Sequence, residues 1–199
     1  GCESGSSGDS ADVVYNFAGS IGKGDFINLD INLSKGEYYY TNRITDEPTV
    51  NGTFEELGKN FYQLDSGDYF FMLEDEVLIA TNKEGLSGEK IITALKEVNS
   101  DYGSEIENTY NIITSLEGYS GTVTINSNDT VTVDFGKDDY FTAPYSFNDD
   151  FKAIEIVEDA SEFRHYGIFL NGEVGIFDSY WREDTNINSW TGDGMSILV

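Results

Sequence analysis

Apolar and polar residues alternate with period two along most of this chain. In residues 25–33, Ile27, Leu29, Ile31 and Leu33 fall on one side and Asn28, Asp30 and Asn32 on the other. That is the pattern of a β-strand with one buried face. The clearest case is Gly121-Thr-Val-Thr-Ile-Asn126 followed by Thr130-Val-Thr-Val-Asp-Phe135. Ser127-Asn-Asp129 supplies the turn, and Val123, Ile125, Val131, Val133 and Phe135 are the expected buried set. Further strands are predicted over residues 12–21, 37–41, 50–55, 60–65, 140–147 and 153–157. Gly-, Asn-, Asp- and Ser-rich turns such as Ser34-Lys35-Gly36 and Ser66-Gly67-Asp68 separate the strands of the first half.

Two stretches resemble one another. Met72-Leu73-(Glu74-Asp75)-Glu76-Val77 followed by Ile79 aligns with Phe169-Leu170-(Asn171-Gly172)-Glu173-Val174 followed by Ile176. Each reads as a hairpin. The second carries Asn-Gly, a strong two-residue turn signal because both residues tolerate positive φ, and the first carries the poorer Glu-Asp. Tyr110-Asn-Ile-Ile-Thr-Ser-Leu116 echoes Tyr15-Asn-Phe-Ala-Gly-Ser-Ile21 at nearly the same spacing, about 95 residues. Two similarities at one spacing argue for internal duplication, with one β repeat over residues 12–82 and a second over 109–180.

Between the repeats, residues 83–108 read as a linker with one amphipathic helix over about 88–98. Ile91, Leu95 and Val98, flanked by Ile92 and Ala94, recur at helical spacing, and Ser87 is the expected N-cap. Residues 181–199 form a C-terminal segment expected to pack on the second repeat. The expected fold is therefore all-β, an antiparallel meander with internal duplication plus one short α-helix. Duplicated meanders close into a barrel or stack as a sandwich.

The chain has 199 residues, 37 acidic against 11 basic, and a formal net charge of −26. Such a surface repels phosphate backbones, which argues against nucleic-acid binding. No run of about 18 apolar residues occurs, so no membrane-spanning helix is expected.

The first residues are Gly1-Cys2-Glu3-Ser4-Gly5-Ser6-Ser7-Gly8. Cys2 is the one cysteine, so it has no intramolecular disulfide partner. This start resembles the mature end of a bacterial lipoprotein, where a Gly-Cys pair closes the lipobox and the thiol is acylated. The resemblance covers about ten residues. It implies lipidation of Cys2, with residues 1–11 as a flexible tether. It also implies a cell-envelope location, facing the periplasm or the cell surface. The folded part is generally similar to lipocalin-like barrel lipoproteins, without a motif particular to them.

Candidate chemistry is sparse. His165 lies in Phe163-Arg-His-Tyr166 with no second histidine, which disfavours zinc. No nucleophile-elbow motif accompanies it, so it reads as a strand residue with a local hydrogen bond. Asp184, Asn186, Asn188 and Asp193 place oxygen ligands in a partly EF-hand-like spacing, making calcium the candidate ion. Ser189 replaces the turn glycine and Met195 the bidentate glutamate. Tyr180, Trp181 and Trp190 beside carboxylates and amides form a candidate glycan-stacking surface. The pairs Asp138-Asp139 and Asp149-Asp150 are candidates for acidic hydrolysis, or simply turn residues. The sequence reading is a non-catalytic envelope lipoprotein acting as a binding or structural module, with no resident cofactor and no assigned catalytic residue. Its partners are the membrane, through Cys2, and a glycan or envelope protein. A secreted carbohydrate-binding module and an acidic hydrolase are the alternatives.

Overall fold

A computed structural model of the chain describes residues 11–22, 26–44, 49–82, 90–114, 120–136, 140–158, 162–182 and 190–199. Eight strands build a first antiparallel unit. They are β1 (Val14–Ser20), β2 (Phe26–Asn32), β3 (Glu37–Asn42), β4 (Val50–Gly58), β5 (Phe61–Leu64), β6 (Tyr69–Leu73), β7 (Val77–Asn82) and β8 (Lys90–Lys96). Each pairs with its neighbour in sequence, and β8 pairs back onto β1, closing a barrel. A 3-10 turn, Gly103–Ile106, leads to a second set. These strands are β9 (Thr109–Thr114), β10 (Thr122–Asn126), β11 (Thr130–Asp134), β12 (Tyr140–Asn148), β13 (Ala153–Glu158), β14 (Phe163–Leu170), β15 (Val174–Trp181) and β16 (Thr191–Leu198). They close a second barrel through β16 and β9.

The duplication is real at the level of topology. β1 and β9 open the two barrels, and the similar hairpins are β6–β7 and β14–β15 in corresponding places. Both hairpin loops hold three residues, not two. Leu73 faces Val77 and Leu170 faces Val174 across the strands, and the third loop residue donates its N–H back, Glu76 to Leu73 and Glu173 to Leu170. Both start on a left-handed residue, Glu74 at φ 54° and Asn171 at φ 52°. The second loop keeps a left-handed Gly172 as well.

Within the described part of the predicted helix over 88–98, the chain forms a strand. Residues 90–96 are β8, and among the described residues the 3-10 turn is the only helical element. Ile92 and Ala94 point into the first barrel, while Leu95 is buried on the opposite face, against the second. On its outer face β8 buries Leu95 but leaves Ile91 60% exposed, and these outward apolar residues beside inward Ile92 and Ala94 blur the alternation into a helical stripe. Closure decides the matter, because without β8 the edges of β1 and β7 would keep unpaired backbone groups. The C-terminal segment likewise does more than pack on the second repeat, since β16 is the strand that closes it.

The barrels meet through their outer faces, β1, β2 and β8 of the first against β14 and β15 of the second. Ala18, Phe26 and Leu95 belong to the same buried cluster as Tyr166, Ile168, Ile176 and Tyr180. Phe26 stacks on Phe151 at 5.9 Å and lies 5.6 Å from Tyr166. The polar groups on this seam are paired. Ser20 Oγ donates to Asp178 at 2.6 Å, Tyr180 O–H donates to the other Asp178 oxygen, and the Phe26 N–H donates to Tyr180. Asn28 donates to Glu97 and to the Phe151 carbonyl, both at 3.0 Å, and accepts from Arg43 at 2.6 Å.

Candidate functional site

The two barrels differ inside. In the first, the rings of Phe54, Tyr62 and Phe70 pack within 4.5 to 5.4 Å of one another, and a pocket of about 30 Å³ lies in the core beside Phe70. In the second, the aromatic mass sits towards one end. Tyr102 and Ile106 of the linker pack there with Tyr110 and Phe169. Tyr110 O–H donates to the carbonyls of Ile106 and Gly172, and the Phe169 N–H donates to Tyr102. Burial lifts the Tyr110 phenol to about 12, so it stays a neutral donor at physiological pH.

Away from this plug the second barrel holds a cavity of about 360 Å³. Its wall is largely apolar, with Ile112, Val123, Val133, Phe141, Ile156 and Phe177 contributing. Polar groups converge on one side, where Glu158, His165 and Ser179 stand on the adjacent strands β13, β14 and β15. His165 Nδ1 lies 2.8 Å from Ser179 Oγ, and Nε2 lies 3.1 Å from Glu158 Oε2. A carboxylate only accepts, so Nε2 carries a proton and donates to Glu158. In the neutral ring, Nδ1 then accepts the Ser179 hydroxyl. Phe141 lies alongside the imidazole at 6.4 Å, nearly parallel to it.

Serine, histidine and an acid in a chain are also the components of a nucleophile relay. Ser179, however, lies within β15 between two paired strands. Acyl transfer needs backbone N–H donors turned towards the developing oxyanion, and β15 here pairs with β14 on one side and, across the bulge at Asp193, with β16 on the other. The three groups can hydrogen-bond a molecule held in the cavity.

The residues singled out in the sequence do not converge. Tyr180 has no exposed surface and belongs to the inter-barrel seam. Trp181 is 36% exposed and sits opposite Phe163 at the cavity end of the β14–β15 pair. Trp190 lies elsewhere, with the guanidinium groups of Arg164 and Arg182 over its ring at 4.6 and 4.5 Å. Cys2, Asp184, Asn186, Asn188 and the pair Asp138-Asp139 lie outside the described residues. Asp193 is the extra residue of a bulge in β16, since Ser179 faces Gly194 and Tyr180 faces Gly192. Among the described residues, no three histidine, cysteine, aspartate or glutamate side chains gather as metal ligands. Asp149 pairs with Lys152 at 2.7 Å, and Asn148 accepts the N–H groups of Asp150 and Phe151 at 3.0 Å, which is turn chemistry. His165 is the strand residue with local hydrogen bonds that its sequence context predicted. Its two partners were missed because they come from neighbouring strands. The available signal was phase: Glu158 follows Ile154 and Ile156, and Ser179 follows Phe177, each on the apolar side of its strand.

No protein-family model and no curated protein matches the chain. A solved structure, that of a protein of unknown function from the DUF3598 family of Nostoc punctiforme, aligns over 93% of both chains. The identity is 11% and the TM-score 0.32, below the level expected of two chains sharing a fold, so this similarity assigns nothing.

Proposed function

We propose that this protein is a non-catalytic, lipid-anchored module of the bacterial envelope that holds a small, mainly apolar molecule inside its second barrel. The observation that carries this reading is the contrast between two barrels of one topology, one with aromatic rings packed through its described core and one with about 360 Å³ of largely apolar space. Pockets of that size, with an apolar wall and a few convergent polar groups, are the usual form of small-molecule sites. The anchor reading rests on the Gly1-Cys2 start and the Gly/Ser run after it. Eight residues lie between Cys2 and Ala11, a reach of at most about 30 Å when extended.

The test is a titration with the apolar fluorophore N-phenyl-1-naphthylamine, read by fluorescence enhancement. Saturable enhancement is expected for the native protein and its loss is expected for Val133→Phe, which pushes a ring into the cavity. No saturable signal, or an unchanged signal in the variant, overturns the reading. For the anchor, metabolic labelling with an alkynyl fatty acid in a bacterial host is expected to mark the protein and to miss Cys2→Ser.

A further inference from the structure

The polar wall of the cavity specifies the head group of what enters it, and this inference rests on the cavity being a ligand site. Glu158, His165 and Ser179 form one chain of hydrogen bonds. In its neutral form His165 spends the Nε2 proton on Glu158, and its Nδ1 takes up the Ser179 hydroxyl hydrogen. Neither the ring nor Ser179 then has a donor left for a ligand, and Ser196, also in the lining, offers one neutral hydroxyl. What the chain of three leaves is acceptor capacity, because the two Glu158 oxygens offer about four lone-pair sites and His165 uses one. Among the described residues, the lining holds no lysine or arginine. Arg164, next to His165 in sequence, turns to the outer face of β14, where it lies 3.6 Å from Glu155 and over Trp190. The chain as a whole carries a net charge of −26, whose field draws cations and repels anions.

We propose that the second barrel binds an amphiphile with an apolar body and a cationic amine head that donates to Glu158, and that it rejects the carboxylate of the same shape. A carboxylate head would meet the Glu158 charge with only the neutral Ser196 hydroxyl as a donor among the described lining residues.

The experiment displaces N-phenyl-1-naphthylamine with decylamine, decanol and decanoate at neutral pH and physiological ionic strength. These three share one tail and differ in the head. Decylamine is expected to bind at least about tenfold more tightly than decanoate, with decanol between. Glu158→Gln, which keeps the size and one acceptor but removes the charge, is expected to lose most of that ratio while holding decanol as before. Equal or tighter binding of decanoate overturns the assignment, as does a ratio unchanged by Glu158→Gln. Decylamine binding that survives Val133→Phe marks adsorption on the acidic surface and overturns it too. If the fluorophore itself does not bind, the cavity reading falls with the head-group inference. If it binds and the three heads compete equally, only the head-group inference falls. The amine-to-carboxylate ratio of the native protein is a readout that needs no variant to fold.

Discussion

Replacing Tyr180 with phenylalanine removes one oxygen atom from the seam between the barrels. That oxygen accepts the Phe26 N–H from the first barrel and donates to Asp178 in the second. Tyr180 and Asp178 are both fully buried, so water cannot take over either bond. A hydrogen bond to a charged group contributes about 1.5 to 3 kcal/mol net, and a buried donor left without a partner costs about 1 to 3 kcal/mol. The two terms overlap, since one atom serves both, and a loss of about 3 kcal/mol is the expectation. For a chain of this length unfolding in one step, that lowers the Tm by roughly 6 to 12 °C. The assay is thermal unfolding by circular dichroism together with urea titration, run beside Trp181→Phe as the neighbouring control. Tyr180→Phe within about 1 °C of the native protein would refute the reasoning, because it would mean that the hydroxyl is solvated and the barrels do not meet through it. A drop in Tm with two separated transitions would show the barrels unfolding one after the other, with the seam as the link that failed.

Three further outcomes follow from the packing. Gly19→Ala would set a Cβ 2.1 Å from the Thr93 carbonyl oxygen and 2.5 Å from Ala94 Cα, forcing apart the β1–β8 closure. A loss above about 3 kcal/mol is expected in urea titration. Gly172→Ala meets both a φ of +64° and the Glu105 carbonyl at 2.2 Å, so it should loosen the 3-10 turn from the second barrel. About 1 to 3 kcal/mol of destabilisation, with altered near-ultraviolet circular dichroism from Tyr102 and Tyr110, is the expected result. Burial pushes the carboxyls of Glu97 and Asp30 above their ordinary values. A raised folded value means stability that is fully present below the ordinary carboxylate range and lost as pH rises through the folded value. Acidification from neutral towards about pH 5 should therefore raise the Tm, and Glu97→Gln should raise it at neutral pH and shrink the gain. Exposed Asp12 and Asp75, held low by hydrogen bonds from Lys35 and Lys96, oppose this only weakly.

Alternation alone located most of the strands, because a residue facing a barrel interior and its neighbour facing water differ in the hydrophobic effect they experience. Val123, Ile125, Val131 and Val133 are all nearly fully buried, as their phase requires. The repeated hairpins also revealed the duplication, since the same loop and flanking pairs recur in both barrels. Where a strand carries apolar residues on both faces, that logic fails. β8 carries Ile92 and Ala94 into one barrel and Leu95 towards the other, and its pattern cannot be told from a helical stripe. Tyr180 looked like a surface aromatic among polar neighbours for the same reason: β15 is buried on its inner face by its own barrel and on its outer face by the first.

Chain chemistry by itself thus determined the β class, the turns, the two-fold repetition and the acidic surface, each of which is set by residues close in sequence. Tertiary structure alone decided how the barrels close, that they dock through β1, β2, β8, β14 and β15, and that one described core is packed with aromatic rings while the other holds a cavity. Closure joins β8 to β1 and β16 to β9, partners far apart in the chain that no local pattern encodes. The cavity depends on the summed side-chain volume of a whole barrel, and its polar wall on the register of three strands. Glu158, His165 and Ser179 become neighbours only when that register is set.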